Sequence, residues 1–245
     1  MSFILRAEVV SDIGLVRSNN EDSAHAGPRL LALADGIGGM PAGELASDIA
    51  VRTLAGVDDT TPSDEALAVL REAAEVANRE ILRVSASDPA NDGMGTTATA
   101  VLLAGNQLAV LHVGDSRAYM QRDGQLSQLT KDDTFVQTLV DQGLLTAEQA
   151  RHHPRRSVVT QALQGFEYEP TLTLQPAKSG DRLLLCSDGL SDIVTDDVIG
   201  QTLRSFTDLK QCADQLVKLA LDGGSTDNVT VVVADILSED AVPAG

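Results

Sequence analysis

The sequence lacks tryptophan and has few other aromatic residues, so its core must be built from aliphatic side chains. Of the 245 residues, 43% are hydrophobic and only 2% are aromatic. A chain of this length and apolar content can bury a sizeable core. No apolar run approaches the roughly 18 residues of a membrane helix. The apolar stretch in the opening MSFILRAEVV is too short for the hydrophobic region of a signal peptide. We therefore expect no membrane span and a cytoplasmic location.

Positive charge is also scarce. The chain has 18 Lys and Arg against 36 Asp and Glu, which gives a formal net charge of −18. Nucleic acids and anionic membranes both require a cationic surface on their partner, so we expect neither as a partner here. The excess of carboxylates can serve solubility alone. A second interpretation is that some of them cluster to hold cations.

Only two cysteines occur, Cys186 and Cys212. One lies in an apolar run typical of a strand and the other in a helical pattern, and their spacing is not that of metal ligands. We expect two buried, reduced thiols.

The apolar pattern predicts strands that adjoin strands and helices that come in pairs. Strands are predicted at 6–14, 29–35, several segments of 95–129, 171–176, 181–188 and 228–237, and helices at 41–57, 63–83, 196–204 and 208–221. Two pairs, Gly105-Asn106 and Asp123-Gly124, are strong hairpin signals. This order favours an α+β fold with antiparallel sheets over a βαβ arrangement. No linker or repeat divides the chain.

Five aspartates stand out by their positions. Four of them lie directly at one end of an apolar, strand-like run, and the fifth lies in VRSNNEDS; they are Asp35, Asp115, Asp188, Asp227 and Asp22. A single aspartate at a strand end is usually a turn former. If the sheets bring all these ends together, however, the like charges repel and a cation must compensate. Because no His or Cys accompanies them, the oxygen-only set suits Mg²⁺ or Mn²⁺ rather than Zn²⁺.

Gly36 and Arg17 are suited to phosphate chemistry beside such ions. Two ions about 3.5–4 Å apart can hold a hydroxide between them and clamp an in-line displacement at phosphorus. Gly36 has no side chain, so its backbone carbonyl can approach a metal. Arg17 precedes Asn20-Glu21-Asp22, and its planar guanidinium can bind a phosphate bidentately. Taken alone, such an arginine is more often a surface residue.

Six motifs follow one another in a characteristic order. They are G-x-x-R-x-x-N-E-D (14–22), A-D-G-x-G-G (34–39), G-T-T (95–97), V-G-D-S-R (113–117), S-D-G (187–189) and D-N-x-T (227–230). Each motif is weak alone, but all six in this order resemble the metal-dependent PP2C-type (PPM) protein serine/threonine phosphatases, most closely their compact bacterial branch. The resemblance covers about residues 8–236.

The resemblance implies a fold and a domain organisation. The family's fold is a central β-sandwich of two antiparallel sheets flanked by pairs of helices, in α-β-β-α layers. We therefore expect a single PP2C-type phosphatase domain over 1–245, with a core at about 8–236. The segment at about 131–165 matches the flap of the bacterial branch and is called the flap segment below.

The resemblance also implies a metal centre. Asp35 would bridge two Mn²⁺ or Mg²⁺ ions, and the carbonyl of Gly36 would bind one of them. Asp188 and Asp227 would bind the other ion. Asp115, together with Asp188, would hold a third and weaker ion that many bacterial members bind.

Three further residues receive roles from the resemblance. Glu21 and Asp22 would act on the metals through bound water, and Arg17 would hold the substrate phosphate. Asp35 and Arg17 are thus the expected catalytic residues. The bridging hydroxide would attack phosphorus in phosphoserine or phosphothreonine directly, without a phospho-enzyme.

The sequence departs from the family pattern at a few positions. Ile37 lies where some relatives have a histidine that acts as a general acid, and Met40 lies where many bacterial relatives have histidine. Neither can protonate the leaving alkoxide, so we predict that a metal-bound water does so or that the step needs little help. In the flap segment, Asp133 and Ser157 replace a usual His and Asn.

The flap segment also contains the one basic cluster of an acidic chain: Arg151, His152, His153, Arg155 and Arg156. A solvent-exposed loop without a role in binding explains this cluster as well as a functional interpretation does. The functional hypothesis is that the cluster contacts acidic or phosphorylated surfaces of a protein substrate.

Other functions fit less well. A dinucleotide-binding glycine pattern starting at Gly36 requires glycine at the position of Pro41, and a haloacid-dehalogenase-type phosphatase requires an aspartate at the position of Ile37. The alternative that remains is a catalytically weak, phosphatase-like sensor or scaffold domain. As an enzyme, the protein would act on phosphorylated proteins, expected to be those of a bacterial Ser/Thr kinase, and would be a monomer.

Overall fold

The computed structural model describes residues 3–37, 42–57 and 64–239. Within these ranges, ten strands form two five-stranded sheets. The strands are β1 (Phe3–Asp12), β2 (Asp22–Ala26), β3 (Leu30–Asp35), β4 (Ala98–Ala104), β5 (Gln107–Val113), β6 (Arg117–Arg122), β7 (Gln125–Gln128), β8 (Thr171–Pro176), β9 (Arg182–Cys186) and β10 (Val229–Ser238). Met40, Pro41 and the last two glycines of A-D-G-x-G-G lie outside the described residues.

The two sheets are antiparallel throughout. Sheet A has the order β1-β10-β9-β6-β7, and sheet B has the order β2-β3-β4-β5-β8. Both predicted hairpins are present, since Ala104 pairs with Gln107 and Arg122 pairs with Gln125. In the second hairpin Asp123 and Gly124 both have positive φ, 51° and 80°. That conformation matches the right-handed twist of the flanking strands and explains the Asp-Gly pair.

Helices cover both outer faces of the sandwich. The helices are α1 (Gly43–Ala55), α2 (Ala66–Ser87), α3 (Phe135–Asp141), α4 (Ala147–Arg151), α5 (Asp188–Ser191), α6 (Asp196–Ser205) and α7 (Leu209–Asp222), with a short 3₁₀ turn at Pro89–Asn91. The pair α1 and α2 packs on sheet B, and α6 and α7 pack on sheet A. The predicted α+β fold with α-β-β-α layers is confirmed.

Each central strand is buried on both faces. In β3, Leu31 and Leu33 point into the apolar layer between the two sheets, whereas Leu30, Ala32 and Ala34 pack under α1 and α2. Successive side chains of a strand alternate between faces. Two covered faces therefore explain why this strand reads as a continuous apolar run instead of an alternating one.

One strand was not predicted from the sequence. β2 has the sequence DSAHA, and all five of its residues are half-buried. Such a short polar segment carries no strand signal, but it pairs along the edge of sheet B with β3, Asp22 opposite Asp35. The pairing partner, and not the local sequence, determines its conformation.

Two smaller expectations can also be compared with the structure. Cys186 and Cys212 are both buried and form no disulfide, as predicted. Among the described residues, no helix combines the length and the apolar character that crossing a membrane would require.

We predict that the layer between the sheets dominates stability. Leu31 is fully buried there, so Leu31→Ala should lower the free energy of unfolding by about 2–5 kcal/mol. Leu174→Ala is the control, because Leu174 lies on edge strand β8 and is 46% exposed. Chemical denaturation measures both variants. Equal losses in the two would contradict the assignment of the core.

Candidate functional site

The topology brings the predicted aspartates to one end of the sandwich. In sheet B, β3 ends at Asp35, and its neighbour β4 begins at Ala98, where it pairs with the end of β5. In sheet A, the end of β9 pairs with the start of β10. The end of one antiparallel strand meets the start of the next. Asp188, which follows β9, and Asp227, which precedes β10, therefore lie close together.

Asp22 also lies at a strand end, although its strand is not an apolar run. It is the first residue of β2 and faces Asp35 across the pair β2–β3. Its Oδ2 accepts a hydrogen bond from Ser187 Oγ at 2.8 Å. Asp22 therefore links the end of sheet B to the β9–α5 junction in sheet A, where Asp188 follows Ser187.

These strand ends enclose a cavity of about 160 Å³. It is lined by Arg17, Asp35, Gly36, Ile37, Thr97, Asp115, Ser157, Val159, Asp188 and Asp227. The structure thus brings together the predicted phosphate-binding arginine and five predicted metal ligands. Within the described residues, Glu21 and Asp22 are not part of this wall but contact residues that are, since Asp22 pairs with Asp35 and the Glu21 carbonyl accepts from Gly36 N. Asp115 and Asp188 also line a second cavity, of about 330 Å³, which α3 and α4 of the flap segment cover.

Asp35 is fixed by hydroxyl groups that the sequence interpretation did not use. Its backbone N–H donates to Thr97 Oγ1 at 2.9 Å, and its carbonyl accepts from Thr97 N and from Thr96 Oγ1, each at 2.9 Å. Thr97 Oγ1 is also within 2.8 Å of the hydroxyl of Ser116, the neighbour of Asp115. This buried chain joins the strand ends that carry Asp35 and Asp115. The hydroxyl groups of this chain belong to the G-T-T motif at 95–97 and the V-G-D-S-R motif at 113–117.

Asn228 organises the opposite side of the site. Its Oδ1 accepts from the backbone N–H of Glu21 at 2.9 Å, and its Nδ2 donates to the carbonyls of Ile13 and Asn19, each at 2.9 Å. One buried side chain thereby ties the loop that contains Arg17 to the start of β10. The D-N pair of the last motif could have suggested this role, but only the fold identifies the three partners.

A close backbone contact explains the glycine at position 36. A Cβ there would lie 2.5 Å from the carbonyl carbon of Gly43 and 2.8 Å from the carbonyl oxygen of Glu21. Neither backbone atom can move aside cheaply, so any larger residue would push α1 away from the site. The Gly36 N–H donates to that same Glu21 carbonyl at 3.1 Å.

The carboxylates of the site repel one another. Burial, followed by the charges of neighbouring aspartates, raises the pKa values of Asp35 and Asp188 well above the ordinary range. For the same reasons the pKa of Asp22 rises to about 6 and that of Asp115 to about 7. The cluster therefore resists carrying its full negative charge unless a cation shares the site.

The donor set fits hard divalent cations, with one adjustment. Within the described residues, the buried oxygens Oδ1 of Asp22 and Oδ1 of Asp188 have no hydrogen-bond partner, and unpartnered buried carboxylate oxygens suit a cation. Yet no three Asp, Glu, His or Cys side chains in the described ranges surround a single point well enough to hold one ion. Mg²⁺ and similar ions keep several waters, so fewer side chains suffice.

Asp227 explains why the carboxylates do not converge fully. Its Oδ2 accepts from Arg17 Nη2 at 2.8 Å, and its Oδ1 accepts from the backbone N–H of Asn228, also at 2.8 Å. This hydrogen bond to Asp227 raises the pKa of Arg17. These contacts fix the orientation of the carboxylate and leave a free lone-pair site on each oxygen, through which Asp227 can bind a cation. Arg17 uses one of its five N–H donors in this pair.

The departures from the family pattern are visible in the cavity wall. Ile37 lines the cavity, and its backbone N–H donates to Gly95 O at 3.0 Å. Because isoleucine has no titratable side chain, no proton donor lies at this position of the wall. Ser157 also lines the cavity. Asp133 instead accepts from Gly114 N at 3.0 Å and lies 4.0 Å from the buried His112.

Most of the basic cluster in the flap segment is engaged within the chain. Arg156 Nε donates to Asp192 Oδ2 at 2.9 Å, and the guanidinium of Arg155 lies 4.0 Å from the ring centroid of Phe135. His152 contacts Glu148 at 3.1 Å. A substrate would have to compete with these contacts, so contact between the cluster and a substrate stays a prediction.

Comparison with known proteins shows the same family along most of the chain. The family model described as protein phosphatase 2C matches residues 17–222. The serine/threonine protein phosphatase PstP of Mycobacterium tuberculosis strain H37Rv is 53% identical over 240 residues, which cover 98% of this chain and 46% of PstP. The chain thus spans about half the length of this relative.

Solved structures agree with this similarity. The crystal structure of the Mycobacterium tuberculosis serine/threonine phosphatase PstP/Ppp has a TM-score of 0.92 and 54% identity, and the match covers 96% of this chain and 100% of that one. The catalytic domain of PstP in complex with two manganese ions has a TM-score of 0.90 and 52% identity, with 97% and 100% covered.

The raised carboxyl pKa values predict how the metal-free protein responds to pH. A carboxyl group whose pKa is higher in the folded than in the unfolded state stabilises the fold fully below its unfolded pKa, and this stabilisation is lost as pH rises through the folded pKa. For Asp22 and Asp115 the loss should extend from about pH 4 to beyond pH 7. We therefore expect the metal-free protein to melt at a lower temperature at pH 8 than at pH 5.5.

Asp115→Asn is the control for this pH dependence. His112 acts in the opposite direction, because burial lowers its pKa, but the variant retains His112 and isolates the carboxyl contribution. Thermal denaturation with a chelator should show a flatter pH dependence in the variant. Added Mn²⁺ should raise the melting temperature of the original protein mainly at the higher pH. An equally steep decline in Asp115→Asn would contradict the electrostatic account.

Proposed function

Because this chain belongs to the protein phosphatase 2C family, we propose that it is a metal-dependent protein serine/threonine phosphatase that hydrolyses phosphoserine and phosphothreonine in proteins. The observation that supports this most strongly is the shared cavity of Arg17, Asp35, Asp188 and Asp227. An anion-binding guanidinium beside a cluster of mutually repelling carboxylates suits a phosphate and divalent cations together.

The proposed cofactor is a pair of Mn²⁺ or Mg²⁺ ions. Asp35 and the carbonyl of Gly36 would hold one ion, and Asp35, Asp188 and Asp227 would hold the other. When bound, such ions supply an activated water at neutral pH and neutralise the charge that develops on the phosphate. The two manganese ions in the PstP catalytic domain, which is 52% identical, support this assignment.

Asp115, Glu21 and Asp22 have supporting roles in this proposal. Asp115 and Asp188 would hold a third ion, and both line the larger cavity below the flap segment as well. Glu21 and Asp22 do not line the cavity but lie next to residues that do, since Asp22 pairs with Asp35 and the Glu21 carbonyl accepts from Gly36 N, and they would act on the ions through bound water. The unpartnered Oδ1 of Asp22 supports such a contact.

The chain's own residues bind and orient the substrate phosphate. Arg17 lies at the cavity wall, where its remaining N–H donors can bind phosphate oxygens. Ile37 and Val159 add an apolar part to that wall, which limits the access of bulk water to the phosphate. Since Ile37 cannot supply a proton, we propose that the leaving alkoxide departs without a side-chain acid at this position.

The domain, partners and location belong to the same proposal. The shared β-sandwich supports a single phosphatase domain over 1–245 with a core at about 8–236 and a flap at about 131–165. The substrates would be phosphorylated proteins, expected to be those of a bacterial Ser/Thr kinase, and the protein would act as a cytoplasmic monomer. The net charge of −18 argues against nucleic acid as a partner.

The central prediction concerns Asp35. Asp35→Asn should reduce Mn²⁺-dependent hydrolysis of p-nitrophenyl phosphate by more than about 100-fold, because loss of a metal ligand exceeds the roughly 10–100-fold cost of losing a group that only orients one. Asp123→Asn, an isosteric change in the β6–β7 turn, should leave activity unchanged. Retained activity in Asp35→Asn would contradict the metal centre. An inactive original protein, with Mn²⁺ and with Mg²⁺, would favour the sensor or scaffold alternative.

A second prediction separates phosphate binding from metal binding. Arg17→Met should raise KM for p-nitrophenyl phosphate by about tenfold or more, since a charge-assisted bidentate contact is lost. Mn²⁺ should bind Arg17→Met as tightly as the original protein or more tightly, because Asp227 loses its positively charged partner. Isothermal titration calorimetry measures the affinity. Weaker Mn²⁺ binding in Arg17→Met would show that Arg17 supports the metal centre instead.

A further inference from the structure

Two large apolar side chains lie exposed directly before the phosphate-binding arginine. Leu15 is 60% exposed and Val16 is 70% exposed, and Arg17 follows them. Single exposed apolar residues are normal on protein surfaces and need no explanation. This pair differs because of how firmly its turn is held and because of what lies next to it.

The turn formed by residues 13–16 is fixed to the loop that contains Asp227. Gly14 has a φ of +79°, and a Cβ at Gly14 would lie 2.0 Å from the carbonyl oxygen of Asp227. Leu15 N donates to Ser225 O at 3.1 Å, and Ile13 O accepts from Asn228 Nδ2 at 2.9 Å. The backbone therefore holds Leu15 and Val16 in a defined place while their side chains remain in water.

This turn adjoins residues that line the phosphate cavity. Arg17 and Asp227 line the cavity, and both belong to the segments that the turn joins. The same wall carries Ile37 and Val159, which are apolar as well. A peptide whose phosphate is bound by Arg17 advances about 3.3–3.6 Å per residue when extended. That step is comparable to the spacing of consecutive residues in the turn, and Val16 directly precedes Arg17, which suits contact between the neighbouring residue and the turn.

Charge disfavours an acidic residue at this place, and the exposed side chains of Leu15 and Val16 offer apolar contact instead. The net charge of −18 and the aspartates of the cavity repel an acidic neighbour of the phosphorylated residue. Burial of an aliphatic or aromatic side chain against Leu15 and Val16 gains affinity without any opposite charge.

We propose that Leu15 and Val16 form an apolar subsite for the residue that neighbours the phosphorylated Ser or Thr. The subsite selects protein segments that carry an aliphatic or aromatic side chain at that position. This inference rests on the proposed phosphatase function and narrows its substrate class.

Two phosphothreonine peptides of equal length and charge test the proposal. One carries Leu on each side of the phosphothreonine and the other carries Ser there. The original protein should show a kcat/KM about tenfold higher for the Leu peptide, in the range typical of small apolar differences in a hydrophobic pocket. Leu15→Ala/Val16→Ala should lose this preference while its kcat/KM for p-nitrophenyl phosphate stays unchanged.

The control is Val76→Ala/Val198→Ala, which truncates two exposed valines on α2 and α6. It should keep both the preference and the basal rate. The proposal is overturned if the original protein does not prefer the Leu peptide, or if Leu15→Ala/Val16→Ala keeps the preference. It is also overturned if that variant loses activity equally on all three substrates, since the two residues would then only position Arg17. A protein inactive on all three substrates would instead reject the proposed function.

Discussion

Mutual repulsion among aspartates that converge at one end of the β-sandwich is the constraint on which the rest of the structure depends. Asp35, Asp115, Asp188 and Asp227 share one small cavity, and burial there adds to the repulsion. An isolated loop would relieve such crowding by moving its carboxylates apart. Here they are attached to the ends of strands that are buried on both faces, so they cannot separate without disrupting the core.

Neutral hydrogen bonds hold this arrangement in place. The hydroxyls of Thr97 and Ser116 join the strand ends that carry Asp35 and Asp115, and Asn228 joins the Arg17 loop to β10. These groups carry no charge, so they fix the backbone without neutralising the carboxylates. The negative charge is thereby kept available for cations, while Arg17 forms an ion pair with Asp227. The same framework holds Leu15 and Val16 beside the cavity.

Much of the fold and the site was predictable from sequence, for reasons that differ between residues. The antiparallel α+β fold followed from strands that adjoin strands and helices that come in pairs, and its α-β-β-α layers followed from the family resemblance. Asp35 was recognised because a carboxylate and a glycine end the apolar run of β3. β2 was missed because its half-buried polar residues carry no periodic signal. The partners of Asn228 and the pairing of Arg17 with Asp227 span more than 200 residues of sequence, and only the folded sandwich brings such groups together.

The most direct test of the account is to locate the metals in crystals of this protein grown with Mn²⁺, by anomalous diffraction at the manganese edge. The account predicts two peaks about 3.5–4 Å apart, with Asp35 between them, Gly36 beside one, and Asp188 and Asp227 beside the other. A cavity without anomalous density in active, Mn²⁺-saturated crystals, or manganese bound only elsewhere, would contradict the central claim.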